Sequence, residues 1–213
     1  MNIISHRGYW RSASEKNTCT AFMRSFQLGF GVETDIRDFA GEIVISHDIP
    51  YGGELRFDEF LMLYNNFGKG LSIALNIKAD GLQAAVANFL NQYNIKDYFV
   101  FDMSIPETMN YLNNNLQYFV RQSEFETITD YHSLLYTNAV GVWLDEFYEH
   151  WIDQEVLMNH VMKGKIVCIV SPELHGREYL KVWSQYKKAS KNIKTDKLIL
   201  CTDLPEHARN FFA

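Results

Sequence analysis

The sequence predicts an α/β protein in which parallel strands alternate with helices. Short apolar runs recur along its 213 residues, and stretches with helical spacing separate them. Most runs are apolar throughout, which is typical of strands covered on both faces in a parallel sheet. Strands are predicted at 2–5, 31–36, 71–78, 97–102, 118–122, 139–145, 165–171 and 197–201. Eight strands in this alternation indicate a compact TIM (β/α)8 barrel with short loops.

Helix signals fall between the predicted strands. Asn17-Thr18 can cap a helix that Gly29 ends. The apolar residues of 57–67 form the core-facing stripe of another helix, and Asp80 or Gly81 is expected to start a third. An open doubly wound sheet is the alternative fold, but the chain has neither GxGxxG nor a P-loop glycine pattern.

Length and composition indicate a single globular domain covering 1–213. Hydrophobic residues make up 47% of the chain and charged residues 22%, which is ordinary for such a domain. The formal charge of −6 argues against nucleic acid and anionic membranes as partners, because both attract basic surfaces. We therefore expect a small-molecule partner, with no stable membrane association and an oligomeric state that the sequence does not reveal.

The cysteines and the amino terminus indicate a cytoplasmic location. The three cysteines are odd in number and form no CxxC pair, so neither a disulfide framework nor a structural zinc site is expected. The first predicted strand begins at residue 2, and cleavage of a leader there would remove it.

Two histidines follow predicted extended segments within the first fifty residues. His6-Arg7-Gly8 follows the strand at 2–5, and His47-Asp48 follows a short segment at 42–46. Histidine, with an unperturbed pKa of about 6.5, can give or take a proton at neutral pH. The two histidines are therefore candidates for acid–base catalysis.

Two carboxylates, Glu33 and Asp35, lie two residues apart on the second predicted strand. Residues i and i+2 of a strand project to the same face, so both carboxylates can reach one hard divalent cation. Asn76 and Lys78 end the third predicted strand, and the active site of a TIM barrel lies at the carboxyl ends of its strands. Arg7 and Lys78 offer positive charge to phosphate oxygens. Together these residues suit phosphoryl chemistry.

In order and spacing, this set resembles the amino-terminal signature of the glycerophosphodiester phosphodiesterase family, within the superfamily of phosphatidylinositol-specific phospholipases C. The residues that carry the resemblance are His6-Arg7-Gly8, Asn17-Thr18, Glu33-Thr34-Asp35, His47-Asp48 and, more weakly, Asn76-Ile77-Lys78. The match is strong over roughly the first fifty residues.

The resemblance implies a metal-dependent phosphodiester hydrolase. His6 and His47 would form the acid–base pair, and Glu33 and Asp35 would bind Mg²⁺ or Ca²⁺, with Asn76 where the family commonly has a third acidic ligand. Attack by a substrate hydroxyl, which releases a cyclic phosphate, is one alternative to direct hydrolysis. Another is a degenerate barrel that binds a phosphorylated ligand without turning it over.

Two further features depart from the family pattern. Lys16 stands at a position where the family usually has glutamate, with Glu15 as a possible substitute. After His47-Asp48 the chain passes almost directly to the next helix, without the inserted subdomain associated with glycerol recognition. The natural alcohol is therefore open, and a smaller alcohol or a sugar phosphate is as plausible.

Polar residues also follow the later predicted strands. We predict that Arg121, Glu173 and His175 contact the substrate. Glu124, Asp145 or Glu173 could replace the missing acidic ligand.

Overall fold

The computed structural model describes residues 1–213, and its strand order is that of a TIM (β/α)8 barrel, as the sequence predicts. The strands are β1 (Asn2–His6), β2 (Gly31–Phe39), β3 (Glu42–Ile45), β4 (Ile73–Ile77), β5 (Tyr98–Phe101), β6 (Phe119–Gln122), β7 (Gly141–Leu144), β8 (Ile166–Val170) and β9 (Leu198–Thr202). The helices are α1 (Cys19–Gln27), α2 (Phe57–Phe67), α3 (Gln83–Gln92), α4 (Ile105–Asn113), α5 (Leu134–Asn138), α6 (Gln154–Met162), α7 (Leu180–Ala189) and α8 (Pro205–Phe212). No helix combines the length and apolar character needed to cross a bilayer.

Eight strands follow one another in the order β5-β4-β2-β1-β9-β8-β7-β6, and β3 pairs antiparallel with β2 off this path. The pairing with β3 extends β2 to Phe39, beyond the predicted end at residue 36. Asp35 consequently lies inside the observed strand rather than at its end.

The helix boundaries follow local chemistry. Thr18 caps α1 by accepting a hydrogen bond from the Ala21 N–H, and Gly29 follows the helix at φ +79°, as predicted. The prediction that α3 starts at Asp80 or Gly81 is wrong, because it starts at Gln83. Gly81 has φ +85°, which a right-handed helix does not accommodate.

The chain divides into two compact units. The N-terminal unit is Ile4–Tyr118, and the C-terminal unit is Phe119–Ala213 together with Met1–Ile3. Each has its own buried side chains and polar contacts, described separately below. One functional domain over 1–213 stays a prediction.

Aromatic rings fill the layer between α1 and α2 of the N-terminal unit. The Phe22 and Phe60 ring centroids lie 4.8 Å apart, and those of Phe26 and Tyr64 lie 5.8 Å apart, both edge to face. All four side chains are buried. Their packing holds α1 against α2.

Gly8 allows that loop to approach α1 closely. Its φ is +81°, and a Cβ there would lie 2.8 Å from the Ala21 Cβ and 2.9 Å from the Ala21 carbonyl carbon. The neighbouring Tyr9 N–H donates to the Ala21 carbonyl at 3.0 Å. A side chain at position 8 would force α1 away from β1.

Buried polar contacts organise the C-terminal unit. Glu146 is fully buried and accepts hydrogen bonds from the Tyr186 hydroxyl at 2.7 Å and from the Ile152 N–H at 2.8 Å. The Trp183 indole N–H donates to the Ser171 hydroxyl at 2.8 Å. These bonds connect the segments that follow β7 and β8 with α7 within this unit.

His160 of the C-terminal unit predicts a loss of stability in acid. Its Nδ1 lies 2.9 Å from the Tyr136 hydroxyl and its Nε2 lies 2.9 Å from Gln122 Oε1, so the neutral ring satisfies both partners. Burial, with the charges of Lys163 and Lys165, lowers the pKa of His160 from 6.5 to about 4. As the pH falls, His160 therefore takes up a proton in the unfolded chain at a higher pH than in the folded protein. We expect the unfolding free energy to fall between about pH 6.5 and pH 4, by roughly 3 kcal/mol in all.

Urea unfolding from pH 7.5 to 4.5 measures this effect. His160→Gln should show a shallower fall in unfolding free energy than the unchanged protein, whereas His132→Gln, at an exposed histidine, should keep the full slope. Identical slopes in all three proteins would contradict the assignment.

Candidate active site

The register of three neighbouring strands brings four predicted site residues onto one face of the N-terminal unit. His6 of β1 pairs with Glu33 of β2, and Asp35 of β2 pairs with Asn76 of β4. Paired residues on adjacent strands share a face, and so do residues two apart on one strand. The structure thus brings together His6, Glu33, Asp35 and Asn76, as the sequence predicts.

Positive charge and a hydrogen-bond donor surround the buried Asp35. Arg7 Nε lies 3.2 Å from Oδ2, and Lys78 Nζ lies 3.7 Å from Oδ1. The Asn17 amide donates to Oδ2 at 2.9 Å. These partners offset the cost of burying the carboxylate.

Asn17, which the sequence predicts as a helix cap and as part of the amino-terminal motif, also contacts the buried carboxylate. Its Nδ2 binds Asp35, and its Oδ1 accepts from the Thr34 hydroxyl at 2.9 Å. Its φ of +59° lies in the left-handed region, where asparagine is better tolerated than most residues. The signal was in the sequence, because the signature contains Asn17, but its contact with Asp35 depends on tertiary structure.

Glu33 is also buried and is bound differently. Its Oε2 accepts from the Arg7 backbone N–H at 3.2 Å. Burial, followed by the charge of Asp35, raises the pKa of Glu33 to about 7, while His6, Arg7 and Lys78 act in the opposite direction. Two buried carboxylates on one face repel each other unless more positive charge is supplied.

The oxygen atoms on this face fit a hard divalent cation. Asp35 Oδ1 and Asn76 Oδ1 are buried and have no hydrogen-bond partner. Together with Glu33 they form a donor set of two carboxylates and one amide oxygen. No group of three His, Cys, Asp or Glu side chains is placed to hold a metal. A cation here would therefore take further ligands from water or substrate, as Mg²⁺ often does.

His47 lies on the rim of an adjacent cavity and is paired with Asp48. Its Nδ1 is 2.9 Å from Asp48 Oδ1, and its side chain is 43% exposed. With Nδ1–H donating to the carboxylate, Nε2 of the neutral ring can accept a proton. The preceding Ser46 N–H donates to the Asp35 carbonyl at 3.1 Å, which ties this segment to β2.

The cavity beside His47 has a volume of about 660 Å³ and lies within the N-terminal unit. Arg7, Lys16 and Asn17 line it together with His47. The loop at 48–55 forms another wall and leads almost directly to α2, as the sequence indicates. Ile49 and Tyr51 of that loop are highly exposed.

Glu15, the acid next to Lys16, is engaged by Arg24 and by the backbone of Arg11. Its carboxylate binds the Arg24 guanidinium at 2.8 Å and accepts from the Arg11 N–H at 2.9 Å. These contacts hold the pKa of Glu15 below its usual value. Lys16 lines the cavity instead.

Lys78 forms an ion pair that the sequence left unassigned. Its Nζ lies 3.5 Å from Asp102 Oδ2, and Asp102 follows β5 with φ +73°. Asp102 is the last residue of the predicted strand 97–102. This position at the carboxyl end of a strand is the one feature of the sequence that indicates a place near the candidate site. Lys78 is thus held between two carboxylates, Asp35 and Asp102.

The predicted substrate contacts of the later strands lie in the C-terminal unit, where each has polar partners. Arg121 pairs with Glu126. Glu173 accepts hydrogen bonds from the Ser171 and Thr202 hydroxyls. The substrate role of Arg121 and Glu173 stays a prediction.

His175, the third predicted contact, lies 2.6 Å from Asp145 Oδ1 and packs against the Phe147 ring. Glu124, another proposed cation ligand, accepts from the N–H groups of Phe147 and Tyr148. The acids suggested as a third cation ligand are therefore already engaged within their own unit. A substrate contact by His175 likewise stays a prediction.

Comparison with known families and curated proteins finds no family model and no curated protein that matches this chain. Solved structures do match. A glycerophosphodiester phosphodiesterase from Agrobacterium tumefaciens is 16% identical with a TM-score of 0.65, covering 99% of both chains. A phosphodiesterase from Oleispira antarctica, in complex with sn-glycerol-3-phosphate, is 14% identical with a TM-score of 0.66, covering 99% of this chain and 96% of that one.

A Ca²⁺-dependent phosphatidylinositol-specific phospholipase C from Streptomyces antibioticus also matches. It is 10% identical with a TM-score of 0.59, covering 100% of this chain and 96% of that one. Tryptophan synthase α-subunits share the fold as well, one from Pyrococcus furiosus with a TM-score of 0.56. At these identities the likeness shows a common TIM-barrel fold, with phosphodiesterases and a phospholipase C among the structural neighbours.

Substitution of Asn17 separates its two roles. Asn17→Gly keeps the left-handed backbone but removes both hydrogen bonds, and we expect a loss of about 1–3 kcal/mol of unfolding free energy. Asn17→Ala adds the strain of a non-glycine residue at φ +59°, so it should be about 1 kcal/mol less stable again. Urea unfolding of both variants measures the difference. Wild-type stability in Asn17→Gly would show that the bonds to Asp35 and Thr34 contribute nothing.

Proposed function

We propose that the protein is a phosphodiesterase that cleaves a small phosphodiester with His6 and His47 as its acid–base pair. The single observation that carries this proposal is the shared face of His6, Glu33, Asp35 and Asn76. This face puts a histidine, which can transfer a proton, next to three side chains whose oxygen atoms could bind a cation. The phosphodiesterases among the structural neighbours support the same reaction class.

In this mechanism the two histidines divide the proton transfers. One takes the proton from the attacking oxygen as the bond to phosphorus forms, and the other gives a proton to the alkoxide as its bond to phosphorus breaks. The contact of His47 Nδ1 with the Asp48 carboxylate favours the tautomer with the proton on Nδ1, which leaves Nε2 to accept a proton. The attacking oxygen belongs to water or to a neighbouring substrate hydroxyl.

Positive charge stabilises the phosphate during the reaction. Arg7 lines the cavity and offers guanidinium donors to phosphate oxygens, while Lys78 adds a second positive charge beside Asp35. Glu33, Asp35 and Asn76 would hold Mg²⁺ or Ca²⁺. When bound, that cation supplies Lewis acidity toward a phosphoryl oxygen.

A second candidate is a protein that binds a phosphorylated ligand without cleaving it. It is favoured by Asn76, which brings no charge, and by the lack of a group of three acidic or histidine ligands. A weakly held cation would slow catalysis more than it would weaken ligand binding. Turnover experiments separate this candidate from the enzyme.

We expect divalent-cation-dependent hydrolysis of bis(p-nitrophenyl) phosphate or of a glycerophosphodiester, abolished by EDTA. His6→Gln and His47→Gln should each lower turnover by about 10²–10⁴-fold, because proton transfer contributes that much. Release of nitrophenolate and phosphorus NMR of the products measure this. A persistent cyclic phosphate would indicate attack by a substrate hydroxyl.

His132→Gln is the matched control, since it removes an exposed histidine of the C-terminal unit. It should leave turnover unchanged. Full activity in both His6→Gln and His47→Gln would contradict the mechanism, and bound ligand that stays intact after long incubation would favour the second candidate.

A further inference from the structure

A cation that the acid–base scheme does not use is fixed beside the proposed active site. The Lys16 ammonium lies 4.4 Å from the centroid of the Trp10 ring. The Trp10 indole N–H donates in turn to the His6 carbonyl at 3.2 Å. The position of this positive charge is therefore tied to the backbone of a proposed catalytic residue.

The backbone next to Lys16 is also anchored to the site. The Asn17 N–H donates to the Arg7 carbonyl at 2.9 Å, and the Asn17 side chain binds Asp35. Lys16 thus lies one residue from a direct contact with the buried carboxylate. It is half-buried and lines the same cavity as Arg7 and His47.

The acidic residues that line this cavity have other partners. Glu54 accepts from the N–H groups of Tyr51 and Gly52, and Asp48 binds His47. Glu59, the remaining acid, accepts from the Arg56 N–H. Lys16 contacts the Trp10 ring, and no carboxylate lies within ion-pair distance of it. Of the two basic side chains that line the cavity, Arg7 is paired with Asp35, whereas the ammonium of Lys16 is free to take an anionic partner.

From this arrangement we infer that Lys16 is a specificity residue that binds a second anionic group of the substrate, a carboxylate or a phosphate monoester beside the scissile phosphodiester. The inference rests on the proposed function, because it names the substrate class of the same site. Arg7 receives the scissile phosphate, and Lys16 receives the other anion in the adjoining cavity. A substrate with one negative charge gives the Lys16 ammonium no anionic partner and is recognised less well.

Binding tests the inference without requiring turnover. 3-Phosphoglycerate has a carboxylate where glycerol 3-phosphate has a hydroxymethyl group, and the two compounds are otherwise alike. Calorimetry measures the affinity of the protein for each compound, once with Mg²⁺ and once with EDTA. We expect the protein to bind 3-phosphoglycerate roughly tenfold more tightly, because a hydrogen bond between charged groups contributes about 1.5 kcal/mol. Lys16→Gln should remove that preference and Lys16→Arg should keep it. Lys69→Gln, at an exposed lysine outside the cavity, should leave it unchanged.

Kinetics separates the inference from the proposed function. The p-nitrophenyl phosphodiesters of the same two compounds serve as substrates, and kcat/KM is measured for each. Lys16→Gln should lower kcat/KM for the ester with the carboxylate by about tenfold and leave kcat/KM for the other ester unchanged. Equal binding of both ligands, no binding of either, or a preference that survives Lys16→Gln would overturn the inference. Turnover without a preference would overturn the inference alone, and a Lys16-dependent binding preference without turnover would overturn the enzymatic function alone.

Discussion

The aligned register of β1, β2 and β4 is the constraint on which the candidate site depends. Because His6 pairs with Glu33 and Asp35 with Asn76, a shift of one residue in either pairing would turn a functional side chain to the opposite face. Gly8, two residues after His6, lets the loop that follows β1 pack directly against α1. Strand pairing thus determines which side chains share this face, whatever rotamers they adopt.

That register also buries two carboxylates side by side, which is costly unless charge is supplied. The chain supplies part of it through Arg7 and Lys78, and Asn17 adds a hydrogen bond to Asp35. An oxygen of Asp35 nevertheless has no hydrogen-bond partner. A divalent cation would balance the remaining charge and satisfy this oxygen, and the same positive surroundings would favour a phosphate. Charge balance therefore links the stability of this face to its proposed chemistry.

Much of this arrangement could be predicted from sequence, because it depends on strand periodicity and on a short ordered motif. Strand periodicity predicts the fold, the strand positions and the shared face of Glu33 and Asp35. The partners of Asn17 and the ion pair between Lys78 and Asp102 do not, since they join residues distant in sequence whose contacts depend on tertiary structure. The start of α3 differs from the prediction because Gly81 adopts a left-handed turn before the helix, and a glycine in sequence does not show which side of a helix boundary it lies on.

The central claim is that Glu33, Asp35 and Asn76 form a divalent-cation site. Anomalous diffraction from crystals grown with Mn²⁺, a scatterer that accepts the same oxygen ligands as Mg²⁺, tests it most directly. We expect an anomalous peak within bonding distance of Asp35 Oδ1 and Asn76 Oδ1, with Glu33 beside it. A crystal saturated with Mn²⁺ that shows no peak at these oxygens, or shows one only elsewhere, would contradict it.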